Sequence, residues 1–240
     1  MHFTLHAMGD SAIKVDFDGE VSPELNRDIQ FFCSKLGCAA IPDIVEWVPA
    51  FDSVTIYYRP HRLSYTEVCD KIYQINRMNI DRVERKSRLI SIPVVYGGKY
   101  GPDLGRVAES NKLSEDEVIQ IHSEQEYLVF MLGFLPGFPY LGGLNKQIAT
   151  PRLDEPRAKT VAGSVGIAHE QTGIYPIDSP GGWNIIGKTA LTLFDREKED
   201  AFLFRAGDRV TFYEISESEF EKQAWSGELV VEEVDDGKAD

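Results

Sequence analysis

Positive charge is scarce in this chain: 25 Lys and Arg face 39 Asp and Glu, for a formal net charge of −14. That deficit argues against nucleic acid, because binding phosphate needs clustered Lys and Arg. Anionic membrane surfaces are disfavoured for the same reason. Cysteine is nearly absent too. Cys33, Cys38 and Cys69 cannot all pair with one another, which suits a reducing compartment and free thiols. Cys33 and Cys38 have no second Cys/His pair to complete a zinc site, and no His/Asp/Glu constellation has metal-ligand spacing, so no metal is expected. No apolar run approaches the ~20 residues of a membrane helix. The opening Met1-His2-Phe3-Thr4-Leu5-His6 has no basic segment leading into an apolar one. The expectation is therefore a cytoplasmic protein without a secretory signal or membrane contact.

Familiar catalytic signatures are missing as well. Gly163-Ser164-Val165-Gly166 lacks the spacing of a nucleophile elbow. Tyr96-Gly97-Gly98-Lys99-Tyr100-Gly101 lacks the Gly-Lys-Ser/Thr ending of a phosphate loop and reads as a turn.

What the chain does have is patterning. Phe3–Ala7 and Ala12–Phe17 alternate as strands around Gly9-Asp10. Ser22-Pro23 opens a helix with Leu25, Ile29, Phe32 and Leu36 on one face and Gly37 at its end. Ile44–Val48 and Ser53–Tyr58 are two more strands, and Ser64 with Glu67 forms a capping box before Val68, Ile72 and Ile75. This ββαββα order implies helices on one face of a mostly antiparallel sheet, in a domain over residues 1–85. The polar stretch 79–88 reads as a linker. A second domain, 89–215, opens at Leu89–Val95 and has one clear helix, capped by Ser114 and Glu117. The rest reads as short strands (164–168, 191–194 and 209–213) between turns, which suggests a closed barrel or sandwich. Residues 216–240 form an acidic end: from Glu214 onward there are ten carboxylates against Lys222 and Lys238, which reads as a solvated tail.

The most informative segment is Gly133–Gly143, with four glycines, two prolines and three aromatics. Such a composition suits neither a regular helix nor a central strand. It suits a stiff loop that presents rings to a partner at little entropic cost. The alternative is that the rings cap the barrel core. Ser179-Pro180-Gly181-Gly182-Trp183 is a second cluster, in which Trp183 has the character of a binding hot spot. Between the two lie Pro151-Arg152 and Pro156-Arg157, whose guanidiniums suit a carboxylate or phosphate, or else an ion pair with Asp154 or Glu155. His122, near the end of the capped helix, is either a site residue or a structural donor.

Taken together, these segments resemble the family of bacterial B-type 5-oxoprolinase subunits, which includes an inhibitor of a sporulation sensor histidine kinase. The likeness runs through Ile92-Pro93, Tyr96-Gly97-Gly98, Gly101-Pro102-Asp103-Leu104, the Gly133–Gly143 loop, Pro151-Arg152 and Pro156-Arg157. It continues through Ala162-Gly163-Ser164-Val165, Thr172–Pro176, Ser179–Trp183, Ile186-Gly187 and Ala206-Gly207-Asp208. Thr160-Val161, His169 and Ala190 depart from the family's usual Val-Pro, Gly and Pro. The resemblance implies an α+β fold: a small N-terminal antiparallel α/β sandwich followed by a cyclophilin-like β-barrel. It implies one component of an ATP-dependent 5-oxoprolinase that works with A-type and C-type companion subunits, with ATP used by the assembled complex. It also implies an inhibitor that docks on the dimerisation and phosphotransfer domain of a sensor histidine kinase; the alternative is the kinase-binding role alone. Arg152, Arg157, Ser164, Tyr175 and His122 are the expected substrate contacts. Phe134, Pro136, Phe138, Tyr140, Pro180 and Trp183 are the expected partner contacts.

Overall fold

The computed structural model describes residues 1–80, 87–226 and 230–234. The chain divides into two compact units, Met1–Glu84 and Arg85–Asp240.

The first unit runs β1 (Phe3–Met8), β2 (Ala12–Phe17), α1 (Pro23–Ala39), β3 (Ile44–Pro49), β4 (Ser53–Tyr58) and α2 (Tyr65–Arg77). Its antiparallel sheet has the order β1-β2-β4-β3. The period-2 set Ile13, Val15 and Phe17 meets the helical set Ile29, Phe32, Leu36, Val68, Ile72 and Ile75 in one core. Each of these large apolar side chains stabilises the unit by about 1.5–3 kcal/mol of transfer free energy. Ser22 caps α1 by accepting from the Leu25 N–H at 3.1 Å. The helix passes through Gly37 and stops at Ala39, where Ala40 takes the left-handed conformation at φ 43°. Ser64 and Glu67 close a reciprocal cap on α2, as their spacing indicates.

The second unit runs β5 (Ser87–Tyr96), α3 (Leu104–Asn111), α4 (Glu115–Ser123), β6 (Glu126–Leu132), β7 (Pro139–Gly142) and β8 (Arg157–Thr160). It continues with β9 (Ser164–Ala168), β10 (Gln171–Ile174), β11 (Ser179–Gly181), β12 (Asn184–Lys188), β13 (Arg209–Glu214), α5 (Glu217–Ser226) and β14 (Val230–Val234). Seven strands close in the order β12-β9-β10-β7-β6-β13-β5, the ring being completed by Gly187 against Tyr96 and Lys188 against Val95. Ile90, Ile92, Val94, Val165, Ile167, Ile186, Val210 and Phe212 fill the interior. β8 and β11 form a separate two-stranded ribbon. Among the described residues, no helix is long and apolar enough to cross a membrane, and no group of three or more His, Cys, Asp or Glu could hold a metal.

Several expectations need correcting. Residues 81–86 of the linker candidate lie outside the described residues, while Ser87 and Arg88 already belong to β5. The segment 191–194 is not a strand; it joins the fold through an isolated bridge between Phe194 and Phe202. The acidic end is not a bare tail. Phe220 of α5 packs with Val95 and Ile215, and β14 pairs with β5 from Val230–Ser91 to Val234–Ser87. Charge count hid this, because Glu residues on an edge strand, here Glu232 and Glu233, can face water. Pro139–Gly142 is a strand paired to both β6 and β10. Proline is tolerated there because it sits at the strand's first position.

Candidate functional site: an aromatic and arginine wall on the barrel

The β6–β7 connection is a tight loop. The Gly133 N–H donates to the Phe138 carbonyl at 3.2 Å, and the Phe138 N–H donates to the Leu135 carbonyl at 3.0 Å. This closure holds Phe134 at φ 66° with 64% of its surface exposed. A bulky side chain in that region is strained and persists only where its surroundings hold it. Pro136 is also exposed, whereas Phe138 turns inward and is 1% exposed.

Phe138 is the hub of a ring cluster. Its centroid lies 5.7 Å from Phe134, 5.1 Å from Tyr140, 5.4 Å from Tyr175 and 5.3 Å from Trp183, all edge to face. Each such pair adds about 0.5–1.5 kcal/mol beyond the area it buries. A bare backbone makes room for them. A Cβ on Gly173 would lie 2.9 Å from Phe138 Cζ and 3.1 Å from Trp183 Cζ3. Phe138, Tyr175 and Trp183 are therefore buried and brace the wall rather than project from it. That corrects the expectation that Phe138 and Trp183 anchor a partner directly. Tyr140 is half-buried, and Pro180 is exposed on β11.

The two arginines differ. Arg157 Nη2 donates to Asp103 Oδ1 at 2.5 Å, and Nη1 donates to the Trp183 carbonyl at 3.4 Å. Asp103 is itself fixed: its Oδ2 accepts from the Ile185 N–H at 2.6 Å. Arg157 is thus engaged in a structural pair. Arg152 is exposed, with its guanidinium carbon 5.9 Å from the centre of a Trp183 ring, in cation–π range. It makes no ion pair among the described residues. Burial raises the pKa of the Tyr140 and Tyr175 hydroxyls, and the nearby Arg152 charge opposes the rise at both. The Trp183 backbone also opposes the rise at Tyr175. Sequence reasoning missed Asp103. Its signal was present in Gly101-Pro102-Asp103-Leu104, where an aspartate precedes a helix yet makes no side-chain cap to it.

Ser164 is buried at the start of β9, and its carbonyl accepts from the Tyr175 N–H at 2.9 Å. His122 is fully buried in the barrel interior, apart from the exposed wall residues. Its Nδ1 lies 2.8 Å from the Tyr96 hydroxyl and its Nε2 3.0 Å from Thr172 Oγ1. Thr172 Oγ1 donates to the Gly166 carbonyl at 3.1 Å, so toward His122 it can only accept. The ring is therefore the neutral Nε2–H tautomer, with Tyr96 donating to Nδ1. Burial pushes its pKa down to about 3. A base held neutral between two hydroxyls is a structural crosslink, not a proton carrier for an exposed site.

Residues 3–204 match the carboxyltransferase domain family, subdomains C and D. The chain belongs to that family. A relative from Bacillus subtilis strain 168, named as the B-type subunit of 5-oxoprolinase, is 41% identical over 234 residues, covering 92% of this chain and 96% of its own. The crystal structure of TTHA0988 superposes with a TM-score of 0.75 at 35% identity; 85% of this chain matches 40% of that one. The Kluyveromyces lactis urea carboxylase structure gives a TM-score of 0.80 over 96% of this chain and 24% of the enzyme. At 20% identity, that likeness speaks to the fold alone. In both structures, the carboxyltransferase C and D fold occupies part of a longer polypeptide.

Proposed function

We propose that this chain is the B-type subunit of an ATP-dependent 5-oxoprolinase and supplies one wall of a site that companion subunits complete. The observation that carries this reading is that Phe134, Tyr140 and Arg152 each rest on a buried ring of one cluster, Phe138 or Trp183, which Tyr175 also joins. Near-full-length similarity to a protein named as a 5-oxoprolinase subunit supports it. Nothing in the chain has the sequence of a nucleotide loop, so ATP is assigned to the assembled complex, in which the A-type and C-type companions provide the remaining surfaces. The test is reconstitution. The purified chain alone gives no ATP-dependent opening of 5-oxoproline to glutamate, and adding both companions restores it. Turnover by the isolated chain, or none by the full set, would defeat the proposal.

A second reading is favoured by one observation, the exposed Phe134 ring held at positive φ. Strain at an exposed ring suits a docking knob, and the helices of a sensor kinase's dimerisation and phosphotransfer domain are a surface it could meet. In that case the purified chain lowers kinase autophosphorylation without either companion, and excess C-type companion relieves it. Unchanged autophosphorylation at saturating chain removes this reading.

A further inference from the structure

We infer that Arg152, and not Arg157, recognises the carboxylate of a small monoanionic ligand at the wall. This rests on the 5-oxoprolinase reading and deepens it by assigning the substrate's carboxylate to one side chain. Both arginines follow a proline in the same loop region, and sequence gives no reason to prefer either. The structure separates them. Arg157 is paired with buried Asp103 and bonded to the Trp183 carbonyl. Arg152 lies over the Trp183 ring, and none of its N–H groups is taken by a described residue. A guanidinium steadied by an indole face offers a planar fork matched to a carboxylate.

The neighbouring ribbon offers no competing contact. Thr160 is 4% exposed, and its Oγ1 has no hydrogen-bond partner among the described residues; the same holds for Ser179 Oγ, across the ribbon from it. A Cβ on Gly181 would strike the Tyr175 hydroxyl and come within 2.9 Å of Thr160 Oγ1. The Tyr175 hydroxyl and Thr160 Oγ1 thus fill the space over the bare backbone of Gly181. Thr160 Oγ1 and Ser179 Oγ are also sealed from solvent, so neither can meet a ligand, and the accessible cation at the wall is Arg152. The charge also discriminates. One free guanidinium balances a single carboxylate, whereas a polyphosphate needs further cations.

The test uses the complex reconstituted with the A-type and C-type companions. Arg152→Gln is expected to raise the KM for 5-oxoproline at least tenfold and leave the KM for ATP unchanged. Arg152→Lys recovers part of the loss. The carboxylate-free analogue 2-pyrrolidinone, used as a competitive inhibitor, keeps its inhibition constant in Arg152→Gln. An unchanged KM for 5-oxoproline overturns the assignment, as does equal weakening of the analogue. A raised KM for ATP instead marks Arg152 as a phosphate contact and overturns it too. A wild-type complex without turnover removes the 5-oxoprolinase reading and this inference with it, an outcome distinct from an active complex indifferent to Arg152.

Discussion

Lowering the pH from 8 to 5 protonates His122 in the unfolded chain but not in the folded barrel. The folded pKa is pushed down from 6.5 to about 3 by complete burial. Below pH 6.5 the unfolded state therefore binds the extra proton, and stability falls as pH falls. The contribution is fully present above pH 6.5 and is lost progressively down to about pH 3. At 1.36 kcal/mol per pKa unit, one such site costs the barrel about 2 kcal/mol at pH 5 relative to pH 8. His122→Gln keeps a donor toward Thr172 and removes the titration. It carries a constant penalty of about 1 kcal/mol for the lost Tyr96 bond. The assay is hydrogen exchange of β9 amides, which reads opening of the barrel itself. Between pH 8 and 5 the wild type should lose about 2 kcal/mol more protection than the variant, after correction for intrinsic exchange. Ring nitrogen shifts in the wild type should also stay those of the Nε2–H neutral form at pH 5. Parallel pH profiles for the two proteins, or a protonated His122 ring at pH 5, would refute the crosslink.

Legibility was highest where one period governs a segment. The first unit could be read nearly element by element, because Ile13, Val15 and Phe17 alternate and Ile29, Phe32 and Leu36 repeat helically against a single core. The barrel was legible as a class but not strand by strand. Residues 164–168 and 209–213 read as strands and are β9 and most of β13, but β10 and β12 are almost wholly buried on both sides, so their residues do not alternate. β8 and β11 are too short to carry a pattern. The Gly133–Gly143 loop could be found from composition, yet composition does not say which ring turns inward. That is decided by the bare backbone at Gly173, which draws Phe138 and Trp183 onto the sheet and leaves Phe134 outside. The arginines were found as a pair but could not be ranked. The residue that ranks them, Asp103, lies 54 positions from Arg157.

Asp103→Asn should destabilise the barrel by about 2 kcal/mol, since it leaves the half-buried Arg157 charge without its partner, and adding Arg157→Gln should recover part of the loss in denaturant titration. Equal stability of Asp103→Asn and wild type would return Arg157 to the candidate ligand contacts. Truncation after Ser226 removes β14 and bares the β5 edge. Because Val230 and Val231 are exposed, the stability loss is expected to be small, about 1 kcal/mol, with increased self-association in light scattering as the main effect. Absence of both effects would restore the reading of a solvated tail. Phe134→Gly separates strain from function. A non-glycine residue at φ 66° costs about 1 kcal/mol, and Phe134 recovers little of that by burial, being 64% exposed. Glycine removes the conformational cost in the folded state but gives some back by loosening the unfolded chain. The thermal midpoint should therefore stay level or rise by about 2–4 °C. If the ring is a contact for a companion subunit or a kinase, affinity measured by titration calorimetry should fall at the same time, at least tenfold for a hot-spot aromatic. Higher stability with intact affinity would show that the exposed ring faces no partner; lower stability would show that its edge contact with Phe138 outweighs the strain.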